Sequence, residues 1–179
     1  MGIFAQDLKE SVILPTLTQL NQWTPAIEVL LLGTASIMSN LGDRLLTDGL
    51  AANNQNRLFG LYLIDKKKHR DIWDNHIALD SEMASIIRGF ASQRLFLENP
   101  ENELVTNLSY ATAIAWATYD RNLTEFPDDP CNLLELATCW FDHHPHNLPD
   151  AHKENAITQF ITGLRTIILS PGNKPQLVA

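Results

Sequence analysis

The chain has little cysteine, little basic charge and no long apolar run, and each shortage removes a class of explanation. Its 179 residues include two cysteines. Cys131 and Cys139 fall on what reads as one helix, roughly 12 Å apart at about 1.5 Å of rise per residue, too far to bridge. Free thiols and synthesis in a reducing compartment are expected. Lysine and arginine total 13 against 21 acidic residues, a formal charge of -8. A general nucleic-acid binder shows a basic surplus instead, so no nucleic acid is expected. An acidic surface, or an electrostatic match to a basic partner, fits better. The longest apolar run, Leu58 to Ile64 with its glycine, is far short of the roughly 20 residues of a spanning helix, so no membrane insertion is expected. The opening MGIFAQDLKE has no basic stretch followed by an apolar run, which argues against a secretory leader. Gln6 stands where a myristoylation signal needs a hydroxyl.

Chemical motifs are equally sparse. The sequence holds no Gly-rich phosphate loop, no HExxH and no legible Ser-His-Asp set. His143, His144, His146 and His152, with Asp142 and Asp150, form a histidine-rich patch. The HHPH order lacks the spacing that puts two ligands on one helical face, so loop histidines without a metal are expected, and no cofactor. Lys66-Lys67-Lys68-His69-Arg70 is the one basic run. Asp65, Asp71 and Asp74 border it, as on a solvated helix face. Trp23, Trp73, Trp116 and Trp140 each read as sitting on an apolar helix face, where packing outweighs sugar stacking. Asp128-Asp129 lies in a turn and Asp142 near the histidines, and no carboxylate pair stands out.

Helical periodicity is what the chain does have, with no convincing strand alternation. Gln6–Leu14 and Thr16–Trp23 read as amphipathic helix with Pro15 between them. Thr24 to Gly42, TPAIEVLLLGTASIMSNLG, reads as the central buried helix. Thr24 caps it, Pro25 takes the first helical position, and Asn40 to Gly42 end it in left-handed backbone. Asp48-Gly49 marks a turn, and AANNQN a polar loop. LFGLYLI, from Leu58, reads as a short extended segment. Asp65 caps a helix over Lys66–Leu79, and Asp80 another from Ser81 to about Leu97. Glu101–Asn122 reads as one long helix with an apolar stripe, Asn132–Asp142 as another, and Ala151–Leu169 as the last. Without an internal repeat, the expectation is one all-α domain of roughly seven helices over residues 1–169. A tail or docking arm follows over 170–179.

Several of these pieces together resemble a phage-encoded lysozyme-like family related to soluble lytic transglycosylases. Members carry a pattern of the type PTL…SPAAEQLLLGTAAQESGLG, then GIYQMEP, a THDDIW-like stretch and an NLxYATA helix. This chain has ILPTLTQL from Ile13, TPAIEVLLLGTASIMSNLG from Thr24 and LFGLYLID from Leu58. It continues with KHRDIWDNHI from Lys68, NLSYATAIAWATYDR from Asn107 and ATCWFDHH from Ala137. The likeness covers about Ile13 to Ile167. It implies a lysozyme-like helical fold with a sugar cleft at the end of the buried helix. There the family's Glu-Ser-Gly glutamate acts as general acid, its proton held by partial desolvation.

Aligned without a gap on Gly33-Thr34-Ala35 and Leu41-Gly42, that glutamate position is Met38. Ile37 precedes it, and Ser39 and Asn40 follow. Methionine transfers no proton, and losing acid–base catalysis costs about 10²–10⁴-fold. In the second motif Leu61 and Tyr62 precede Leu63, which replaces the glutamine. Ile64 replaces the methionine, Asp65 stands at the glutamate position and Lys66 replaces the proline. Tyr110 lies in the NLSYATA piece. The resemblance therefore implies a relic cleft of Ile37, Met38, Ser39, Asn40, Leu61, Tyr62, Leu63, Asp65 and Tyr110, with no catalytic residue. Asp65 is the best substitute acid, but it is shorter than glutamate and its oxygens are committed to capping.

The leading expectation is a non-catalytic component of a virion (tail, neck, baseplate, core or capsid-associated), present in multiple copies against other virion proteins. The alternative is a muramidase or lytic transglycosylase with a displaced acid such as Asp65. A sugar-binding module that has lost only its chemistry is a third possibility.

Overall fold

The computed structural model describes residues 2–47, 57–146 and 148–169. The Asp48-Gly49 turn, the AANNQN loop and the 170–179 tail lie outside them. The described chain is all-α apart from one small sheet.

The first helical stretch is α1 (Ala5–Leu8), a π turn (Lys9–Ile13) and α2 (Leu14–Gln19) in direct succession. In the π turn the Leu14 N–H reaches back to the Lys9 carbonyl. Pro15 follows at once and lacks the N–H that an ordinary helix would need there. The stretch ends at Gln19, short of the expected Trp23, because Asn21 turns left-handed at φ 57°.

α3 (Pro25–Ser39) forms as its caps dictate. The Thr24 hydroxyl accepts the Ile27 N–H at 3.1 Å. Asn40, Leu41 and Gly42 then run through φ of 51°, 56° and 85°. Glycine and asparagine adopt that region cheaply; leucine does not. The turn is held by Leu41 N–H to the Ala35 carbonyl at 3.1 Å and Gly42 N–H to Ser39 Oγ at 2.9 Å. It is further tied by Ile3 N–H to the Leu41 carbonyl at 2.7 Å. Almost every residue of α3 from Ala26 to Ala35 is buried.

The expected extended segment is instead a hairpin. β1 (Leu46–Thr47), β2 (Leu58–Phe59) and β3 (Ile64–Asp65) pair antiparallel in that order, with Leu58 opposite Asp65 and Phe59 opposite Ile64. Gly60 to Leu63 make the turn between β2 and β3. Gly60 has φ 76°, and a Cβ there would collide with the Leu104 carbonyl, so only glycine fits.

The Asp65 carboxylate caps α4 (Lys66–Asn75) by accepting the Lys68 N–H at 2.8 Å. That helix stops earlier than expected, and Ile77–Leu79 is a 3₁₀ turn. The expected helix over 81–97 is two, α5 (Ser81–Phe90) and α6 (Gln93–Glu98), with Ser92 capping the second. The expected helix over 101–122 is also two, α7 (Pro100–Thr106) and α8 (Leu108–Asn122). Asn107 breaks it by accepting the Tyr110 N–H as a cap. α8 shows no mere stripe, for every residue from Tyr110 to Tyr119 is buried. Its alternate alanines let neighbours approach from all sides, so the molecule has two central helices, α3 and α8.

α9 (Leu133–His143), a 3₁₀ turn (Asp150–His152) and α10 (Lys153–Leu169) close the fold against α3. Cys131 precedes α9 and is exposed, Cys139 is buried within it, and both thiols are free. Phe160 of α10 points its ring at Gly33 and stacks on Trp140 with centroids 5.3 Å apart. No helix of the described residues is long and apolar enough to cross a membrane.

Candidate functional site

The positions singled out by the resemblance come from three elements: the end of α3, the β2–β3 turn and the start of α8. Ser39, Leu61, Tyr62, Leu63 and Tyr110 are buried, Ile37, Met38 and Asp65 are partly buried, and Asn40 is exposed. Ile37 and Met38 pack against the apolar core. Ser39 turns its hydroxyl back to the Ala35 carbonyl at 3.1 Å.

The β2–β3 turn is sunk into the protein. A buried loop must find partners for its own polar groups. The Tyr62 hydroxyl meets Thr112 Oγ1 at 3.1 Å. The Tyr62 carbonyl accepts from Nε2 of His144, which lies 82 residues further on, at 2.9 Å. Nδ1 of that buried ring has no partner. Burial pushes His144 down to about 4, the bond to the Tyr62 carbonyl only partly opposing it, so the ring is neutral at pH 7. His146 is equally structural. Its Nε2 donates to the Phe141 carbonyl at 2.6 Å, and its Nδ1 accepts the Leu148 N–H at 3.2 Å. No cluster of three His, Cys, Asp or Glu able to hold a metal occurs among the described residues.

Tyr110 is the hub of a buried polar cluster. Its hydroxyl receives Trp73 Nε1–H at 2.6 Å and meets His69 Nε2 at 2.7 Å. With the indole donating into the oxygen, the phenol proton is free to point at the histidine, which satisfies all three groups. Desolvation pushes His69 down to about 4, with Glu101 opposing, and pushes the Tyr110 hydroxyl up. Glu101 and Glu103, on the first turn of α7, are both buried here. Glu101 pairs with Lys66 at 3.0 Å. Glu103 accepts from Asn107 Nδ2 at 3.1 Å, and its other oxygen has no partner. The basic run is thus only partly a solvated face, since its histidine is core. Sequence reasoning missed these glutamates because acidic residues in a first helical turn are ordinary there. Their burial comes from contacts that no local pattern announces.

Trp73, Trp116 and Trp140 are buried on helices, whereas Trp23 sits 44% exposed in the loop before α3. It donates to the buried Glu28 at 2.8 Å, whose other oxygen pairs with Lys9 at 3.1 Å. Two grooves open at the C-terminal end of α8. One, of about 270 Å³, lies between Asn21, Asp80, Glu82, Met83, Trp116 and Asp120. The other, of about 670 Å³, has Leu123, Phe126 and Cys139 among its apolar walls, with five carboxylates around them. Asp128-Asp129 and Asp142, separate in sequence, meet there.

No protein-family model, curated protein or solved structure matches this chain.

Proposed function

We propose that this chain is a non-catalytic structural component of a phage virion, built on a lysozyme-like helical fold and working through contacts with other virion proteins. The observation that carries the reading is Met38. A thioether packed against the core stands where the resemblance asks for a proton donor. Asp65, the nearest substitute, spends a carboxylate oxygen on the cap of α4. Ser39, Leu61, Tyr62, Leu63 and Tyr110 serve as packing in place of a wet cleft. Purified particles carrying the protein at fixed stoichiometry would support this role, and its absence from them would overturn it.

A second reading, a peptidoglycan-cleaving enzyme with a displaced acid, draws on the buried Glu101 and Glu103 beside His69 and Tyr110. A zymogram on purified cell wall separates the two. The structural reading expects no clearing. Clearing that vanishes in Asp65→Asn or Glu103→Gln would establish the enzyme.

A further inference from the structure

We infer that the acidic face at the C-terminal end of α8 is a docking surface for a basic, extended segment of a partner polypeptide. The inference rests on the proposed role in protein assembly and names the chemistry of one partner. Three carboxylates, Asp80, Glu82 and Asp120, border the smaller groove. Five, Glu125, Asp128, Asp129, Glu135 and Asp142, border the larger. No lysine or arginine lines either groove. Asp120 of one groove and Leu123 of the other are three residues apart where α8 ends, and the proposed segment would cross from one groove to the other there.

Part of this charge is answered within the protein. Asp120 meets His76 at 3.0 Å, and Asp142 meets Lys153 at 2.5 Å. Glu82, Glu125 and Asp128 have no ion pair among the described residues. The end of α8 adds the negative pole of its helix dipole.

The second observation is independent of charge. Trp116 is part of the smaller groove's wall, is 2% exposed, and its Nε1–H has no hydrogen-bond partner. A buried donor left unmade is costly, and an acceptor brought in by a ligand removes that cost. A peptide offers both complements. Its lysine or arginine side chains meet the carboxylates, and a backbone carbonyl accepts from the indole. The apolar floor of the larger groove takes the aliphatic stems of the same side chains.

The test is fluorescence anisotropy of a labelled peptide of repeating Lys-Ala-Gly, titrated with the full chain at low and at physiological salt. Binding that weakens with salt is expected. The triple variant Glu82→Gln/Glu125→Gln/Asp128→Asn should bind roughly tenfold more weakly. A control triple, Glu10→Gln/Asp74→Asn/Glu154→Gln, removes the same charge elsewhere and should change affinity less than about twofold. Trp116→Phe, which removes the indole N–H and part of the ring volume, should weaken binding several-fold in protein whose circular dichroism matches that of the parent chain. No binding at low salt, equal losses in the two triples, or full affinity in Trp116→Phe would each overturn the inference. Incorporation into particles is read separately. Incorporation without peptide binding overturns the surface and leaves the structural role, while peptide binding without incorporation overturns the role and leaves the surface.

Discussion

Replacing Gly33 by alanine adds one methyl group where α3 meets α10. The new Cβ would lie 2.9 Å from Cε1 and from Cε2 of Phe160, and nearer still to Cζ. A free side-chain tip would swing aside. This ring is fully buried and stacked on Trp140 at 24° between planes, so its escape disturbs a second aromatic. Overpacking of this kind costs about 2–3 kcal/mol. Alanine returns about 1 kcal/mol of helix propensity, leaving a net loss of about 1–2 kcal/mol. For a chain of this size that lowers Tm by about 2–8 °C. Thermal unfolding followed by circular dichroism measures it. A double-mutant cycle identifies the cause: in a Phe160→Leu background the same alanine should be neutral or stabilising. A higher Tm for Gly33→Ala alone, or an equal loss in both backgrounds, would refute the packing argument.

Other substitutions probe the buried polar groups. Tyr110→Phe leaves His69 Nε2 and Trp73 Nε1–H without their shared partner and should cost about 2–4 kcal/mol in urea unfolding. His69 and His144 both fall to about 4 in the folded protein, below the ordinary histidine value near 6.5. Their contribution is therefore complete above about pH 6.5 and is lost as pH falls towards 4, at about 1.4 kcal/mol per pH unit for each. Urea unfolding across that window should show the slope, and His69→Gln/His144→Gln should flatten it. Asp65→Ala should cost about 1 kcal/mol through loss of the α4 cap, and Asp65→Asn only a few tenths. Differential scanning calorimetry of the pair tells a capping role from a charge role.

What the sequence discloses here is mostly what is local. The caps at Thr24 and Asp65 and the stop at Asn40–Gly42 are written in a few consecutive residues, and the structure uses them so. Asn107 and Ser92 carry the same capping chemistry, but each lies inside a pattern that reads as one longer helix, which is why the breaks at Asn107 and at Ala91–Ser92 were not expected. The hairpin was hidden because its apolar turn looks like a strand. Distant partners satisfy a turn at that depth: Thr112, 50 residues on, meets the Tyr62 hydroxyl, and His144, 82 residues on, meets the Tyr62 carbonyl. The candidate site divides the same way. Met38 is legible beside a family pattern, whereas the company of Tyr110, His69, Glu101 and Glu103 is set by the packing of α4, α7 and α8. The acidic face brings together Asp80, Asp120, Asp128 and Asp142, residues that sequence distance separates.

The π turn near the start of the chain acts as a ruler with one extra mark. Leu8, Ile13, Leu17 and Leu20 are all buried, yet the first interval is five residues where an ordinary helix repeats after three or four. Widening the turn at Lys9–Ile13 absorbs the surplus residue and returns Ile13 to the inner face. In any register-by-register comparison with a relative lacking that turn, this stretch would therefore show a one-residue insertion while the two helices superpose. Pro15 keeps the extra mark in place, because its ring suits a helix whose preceding turn is already widened. Deleting Ser11 would not tidy the helix. It would leave Leu8 and Ile13 four residues apart on the same inner face, and the penalty would fall on Pro15, whose ring would then meet an ordinary preceding turn instead of the widened one.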